Sequence, residues 1–275
     1  MLLEVHTPMT LPRVLFILTL IVLVALLSLV SFDLNEVDQG LGRKLTRSKA
    51  SLGSKSDQYD LAVMYDKGDG VERSESQAAV LYEKAALQGL GDAQFALGMC
   101  YFSGRGVAKD HVQSVRWLRK AADQSHREAQ YELALRCANG EGTIADMTEA
   151  VRLLGLAAKQ GHSMAQTELA TLYRNGASVP KDELKAFNLY LAASWQGNPH
   201  AQFELAEMYE LGVGVNSNIA EAYAWATVAV VYAPYFKRYP RLERITKKLS
   251  SSQRSIATQR SREIYEEIEA KKEKK

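Results

Sequence analysis

A glutamine returns every 36 residues in this chain, at Gln58, Gln94, Gln130, Gln166 and Gln202, with no slippage over five copies. Three residues after each stands Leu61, Leu97, Leu133, Leu169 or Leu205, followed by a small residue: Ala62, Gly98, Ala134, Ala170 or Ala206. The seventh position holds Tyr65, Tyr101, Cys137, Tyr173 or Tyr209, and the tenth is always glycine: Gly68, Gly104, Gly140, Gly176 and Gly212. A fixed period of this length marks a chain built from stacked supersecondary units, each unable to bury its apolar face alone.

With the glutamine as offset 0, offsets 0, 3, 4 and 7 share one face of a 3.6-residue helix, which defines the first helix of each unit. Glycine ends it, because the chain leaves a helix most cheaply through a left-handed residue. A second glycine follows in four copies (Gly70, Gly106, Gly142, Gly214), with Ser178 in the other. Val71, Val107, Val179 and Val215 come next, with Thr143 the exception. Ser74, Asp110, Asp146, Asp182 and Asn218 then supply N-cap oxygens for a second helix. That helix carries Ala85, Ala121, Ala157, Ala193 and Ala229 at one position, which implies a close helix neighbour. Gln-Gly closes copies one, three and four. The expected class is all-α, a right-handed α-solenoid of helix-turn-helix repeats preceded by a transmembrane helix.

The second unit reads Ala93-Gln94-Phe95-Ala96-Leu97-Gly98-Met99-Cys100-Tyr101, then Gly104-Arg105-Gly106-Val107 to Asp110, then Trp117-Leu118-Arg119-Lys120-Ala121-Ala122. It resembles the Sel-one-like branch of the tetratricopeptide superfamily, and the resemblance covers residues 57–234. It implies a scaffold for protein complexes, often in bacterial envelopes or at the endoplasmic reticulum. Departures are confined to Ser178, Thr143, Cys137 and the Tyr232-Ala233-Pro234 ending, which marks the fifth unit as terminal. Beyond it, Ser250 and Gln253 form a capping box opening a last helix. Ile256, Ile264 and Ile268 are expected to line one side of that helix, covering the last repeat, with Lys271 to Lys275 a solvated tail.

Val14 to Phe32 is an uncharged run of 19 residues. At about 1.5 Å per residue it nearly spans the ~30 Å hydrocarbon core. Cleavable signals have shorter apolar regions and small residues at their exit; here the exit is Ser28-Leu29-Val30-Ser31-Phe32-Asp33. An uncleaved anchor is therefore expected over residues 1–32, then a flexible polar linker over 33–56, repeats over 57–234, and capping helices with a charged tail over 235–275. Arg13 before the segment favours an extracytoplasmic repeat domain, periplasmic in a bacterium. Arg43, Lys44, Arg47 and Lys49 after it favour the cytoplasmic alternative.

A net charge of +2 and the lack of a basic stripe argue against nucleic acid. Cys100 and Cys137 form no CxxC pair and are expected to be buried thiols. His126 and His162 share an offset in the inter-repeat turn, so they recur with the repeat rather than converge on a site. With no nucleophile elbow, phosphate loop or HExxH motif, no catalytic, cofactor or metal residues are expected, and a cell-wall hydrolase lacks its acid and base. The expected partner is a protein or peptide. In the superfamily that the repeats resemble, the first helix lines the concave side, and there offsets 2, 5 and 9 point away from the packed face. The candidate partner-binding face is Asp60, Val63, Met99, Glu132, Leu135, Glu168, Asn175, Glu204 and Glu207. Apolar groups fall toward the first copies and carboxylates toward the last, a gradient suited to a peptide or helix with an apolar anchor and a basic flank.

Overall fold

A computed structural model describes residues 53–233 and 240–274, together with 44, 46, 48 and 50. Twelve helices and no strand occur among the described residues. The first helices of the five repeats are α1 (Lys55–Lys67), α3 (Gly91–Ser103), α5 (Arg127–Asn139), α7 (Ser163–Asn175) and α9 (Pro199–Leu211). The second helices are α2 (Glu75–Leu87), α4 (His111–Asp123), α6 (Met147–Lys159), α8 (Glu183–Ser194) and α10 (Ile219–Tyr232). Two more follow, α11 (Pro240–Lys247) and α12 (Ser251–Glu273). The expected anchor, Val14 to Phe32, lies outside the described residues; among the described residues no helix is long and apolar enough to cross a membrane.

The chain divides into two compact units, Met1–Ala85 and Ala86–Lys275. In the first, Ser54 caps α1 by accepting from the Asp57 amide at 3.4 Å, and Leu61, Ala62 and Tyr82 are buried. Ala50, inside the expected linker, is buried and its carbonyl accepts from Gln58 Nε2 at 3.4 Å. Ala50 stands where Ala86, Ala122 and Ala158 stand before the later glutamines, so it belongs to the repeat pattern rather than to a tether.

In the second unit each first helix packs on its own second helix, and α4, α6 and α8 pack on the first helix of the next repeat. Close approach is possible because the facing side chains are small: Ala121, Ala157, Ala193 and Ala229 are fully buried. The helix ends follow local chemistry. Gly104, Gly140, Gly176 and Gly212 take left-handed φ of 78°, 72°, 68° and 72° as C-caps. Asp110, Asp146, Asp182 and Asn218 accept from the first-turn amides of α4, α6, α8 and α10. The second loop glycine has a different cause: a Cβ on Gly142 would stand 2.1 Å from the His111 carbonyl oxygen. Two backbones meet there without a side chain between them. Cys100 and Cys137 are buried thiols, as expected; burial pushes the Cys137 thiol above its ordinary value, Arg119 opposing.

The capping box forms at Ser250 and Gln253. The face of α12 differs from the expected one. Ile264 and Ile268 are fully buried with Ala257 and Ser261, whereas Ile256 is 67% exposed. Positions 257, 261, 264 and 268 keep one helical face at 3.6 residues per turn, and Ile256 falls off it. The terminal lysines also differ from a free tail. Lys271 lies 4.2 Å over the Trp195 ring and Lys272 4.1 Å over the Tyr232 ring, so helix α12 is held almost to its end.

Candidate functional site

The first helices of the second unit are set in register by amides. Gln94, Gln130, Gln166 and Gln202 are buried, and each donates Nε2 to a carbonyl eight residues back, on Ala86, Ala122, Ala158 or Ser194, at 3.1–3.2 Å. The Oε1 atoms of the first three accept from Gln124, Gln160 and Gln196 at 2.7–2.8 Å, thirty residues on. A ladder of side-chain amides therefore ties the turn closing one repeat to the first helix of that repeat. It stops at Gln202, whose Oε1 is buried without a partner; thirty residues on stands Tyr232, whose hydroxyl bonds Glu269 instead. This ladder fixes the row of side chains that the first helices present.

The predicted face divides along that row. Asp60 (exposed) and Val63 (half-buried) belong to the first unit. In the second, Met99 and Leu135 are half-buried and pack against the core around Leu133, Leu153 and Leu154. They act mainly as helix-to-helix contacts. Glu132 is half-buried and pairs with Arg136 at 2.8 Å. Burial raises its carboxyl above the ordinary value, and Arg136 opposes that. Arg136 is itself only 7% exposed, bonded also to Glu141 at 2.8 Å and lying 3.6 Å over the Phe102 ring. Glu168 and Asn175 are exposed.

Glu204 and Glu207, at the far end, are not open. Arg174 of α7 bonds both, and Arg241 of α11 reaches Glu207 at 2.9 Å and the Phe203 carbonyl at 2.8 Å. One turn further, Glu210 has a fully buried carboxylate held by Arg244 at 2.6 Å and Lys248 at 2.7 Å. Burial works to raise the Glu210 carboxyl, and the hydrogen bonds and charges of Arg244 and Lys248 outweigh it, leaving it below the usual carboxylate value. Glu204, Glu207 and Glu210 thus form an acidic strip on α9, and the short basic helix α11 lies on it with Ile245 fully buried.

Reading by offset missed Arg136, Arg174, Arg241 and Arg244, which decide which carboxylates stay available. Arg136, one turn from Glu132, was the one with a local signal; Arg174, Arg241 and Arg244 meet carboxylates thirty or more residues away, which depends on stacking. No cluster of histidine, cysteine and carboxylates able to hold a metal ion occurs among the described residues.

The Sel1 repeat family matches residues 56–90, 91–126, 127–162, 163–198 and 199–229. Among solved structures, the chain is similar to a Sel1 repeat protein from Oxalobacter formigenes, with 30% identity over 73% of this chain and 85% of that one, at a TM-score of 0.64. It is also similar to c5321, a protective antigen present in uropathogenic Escherichia coli strains and displaying an SLR fold, with 27% identity and a TM-score of 0.56. That match covers 83% of this chain but 56% of that one, so the chain spans little more than half of that relative. No curated protein matches this chain.

Proposed function

Because the chain belongs to the Sel1 repeat family, whose members are generally non-catalytic protein-interaction scaffolds, we propose that it is a membrane-tethered adaptor recruiting a protein or peptide to an envelope complex. The observation that carries this reading is the division of the first-helix row. Glu168 and Asn175 are exposed, while Glu204, at the repeat position of Glu168, and its neighbour Glu207 are closed by the chain's own arginines. The partner docks on the middle repeats. Its chemistry follows from the segment already lying on the acidic strip: α11 brings the apolar residues Ile245 and Leu242 and the basic Arg241 and Arg244, and Lys248 follows directly after it. A basic segment of the partner fits the exposed Glu168 in the same way.

The anchor is the apolar run Val14 to Phe32, with the repeats extracytoplasmic because Arg13 precedes it. The Arg43, Lys44, Arg47 and Lys49 cluster supports the opposite orientation. An alkaline phosphatase fused after Lys55 is active in the first case and inactive in the second. Crosslinking in intact cells, read by mass spectrometry, identifies the partner. The exposed pair Glu168→Lys and Asn175→Lys should reduce its recovery severalfold without unfolding the chain. Recovery equal to wild type sinks the docking surface.

A further inference from the structure

Two histidines cap helices in this chain. His126 Nδ1 accepts from the Ala129 amide at the start of α5, and His162 Nδ1 accepts from the Ala165 amide at the start of α7, both at 3.2 Å. Asn198 does the same task for α9, accepting from Ala201 at 3.1 Å. A ring nitrogen that accepts from an N–H carries no proton, so both imidazoles are neutral with Nε2 protonated. Each ring also stacks on an aromatic of the preceding repeat: Phe95 with His126 at 4.9 Å between centroids, Tyr131 with His162 at 4.5 Å. Cap and stack together join one repeat to the next.

The surroundings of the two rings differ. His126 Nε2 lies 3.2 Å from Asp92 and its Nδ1 3.4 Å from Glu128, so carboxylates stand at both nitrogens. For His162 the positions 36 residues on are Glu128 and Met164. Glu128 acts on it only through space, Arg127 opposes that, and Met164 has no charge to offer. The charged groups facing His162 are these two, both on α5, beside the Tyr131 ring. A proton added at Nδ1 of His126 exchanges a cap for ion pairs. A proton added at Nδ1 of His162 places two donors face to face with nothing to receive them.

We propose that His162 is an acid-sensitive joint between the third and fourth repeats: its protonation releases the cap of α7, loosening the solenoid there while the His126 joint holds. The direction of titration agrees. Burial lowers the His162 pKa from its ordinary value, Glu128 opposing and Arg127 assisting. A base whose folded value is depressed contributes stability that is complete above about pH 6.5 and falls as pH drops toward the folded value, levelling off below it. The consequence is a Glu168-bearing helix whose start is firm at neutral pH and frayed in acid.

The test uses the full chain and nuclear magnetic resonance. The His162 ring should titrate below the ordinary histidine value of about 6.5, and the protection of the Ala165 amide should fall as pH drops below 6.5, by up to about tenfold per unit until it levels off. In His162→Asn, which copies the Asn198 cap, that protection should be independent of pH. In Met164→Glu, which restores the carboxylate found at position 128, the His162 midpoint should rise. His126→Asn should leave the pH dependence at Ala165 unchanged. A His162 midpoint at or above about 6.5, or the same pH dependence in His162→Asn as in wild type, overturns the proposal; the titration alone decides it if a variant folds poorly.

Discussion

Replacing Gln130 with alanine probes the amide ladder at its centre. The side chain is 2% exposed, donates to the Ala122 carbonyl at 3.2 Å and accepts from Gln160 at 2.8 Å. Two neutral hydrogen bonds contribute about 0.5–1.5 kcal/mol each, and the space left by truncation adds about 1 kcal/mol. The variant should therefore lose about 2–4 kcal/mol, read as a lower urea midpoint at unchanged slope. Gln160→Ala removes only the shared bond, from an exposed residue, and should cost about 0.5–1.5 kcal/mol. Since both single variants delete that bond, a double-mutant cycle should return a coupling of about the same size. Gln130→Glu separates hydrogen bonding from volume. Its carboxylate has no donor for the Ala122 carbonyl at pH 7, so it should be at least as damaging as alanine. Its penalty should shrink in acid, where the protonated carboxyl donates again. Equal midpoints for Gln130→Glu and wild type at pH 7 would refute the reasoning.

Further outcomes follow from the same structure. Gly142→Ala must hold φ at 76° and displace the His111 carbonyl, and should cost about 2–4 kcal/mol. Gly161→Ala, with φ of 82° but nothing within 4 Å of a Cβ, should cost only about 1–2 kcal/mol; equal thermal midpoints for the two would argue against the backbone contact. Ala121→Leu should overpack a fully buried site by about 1–3 kcal/mol, and Leu133→Ala should cost about 2–5 kcal/mol, both measured by urea unfolding. The Glu210 pairing contributes stability that is complete above the usual glutamate value near pH 4.3 and is lost as pH falls below it toward the depressed folded value. Hydrogen exchange at Thr246 and Lys247 should then accelerate in acid beyond the intrinsic rate. Unchanged protection of α11 at pH 3 would show that its ion pairs do not hold it.

The glutamine, glycine and alanine positions were legible because they answer to local geometry. Offsets 0, 3, 4 and 7 follow from 3.6 residues per turn, the left-handed C-caps need glycine, and Asp110, Asp146 and Asp182 cap the helix that begins next to them. The candidate face was legible only in part. Glu168 and Asn175 are exposed as offset reasoning requires, but Met99 and Leu135 lean on the core. Offset alone does not say how near the neighbouring helix stands.

What the sequence determined by itself is therefore the repeat: its length, its helix ends, set by interactions within about one helical turn, and the small residues that mark its packed faces. What the tertiary structure decided is which polar groups meet. Gln160 finds Gln130, Arg174 finds Glu204 and Glu207, and Arg244 finds Glu210, across thirty or more residues. His126 keeps two carboxylates where His162 keeps none at its nitrogens. These pairings depend on how far one repeat is rotated and shifted against the next and on the reach of each side chain. The period of a sequence carries neither quantity.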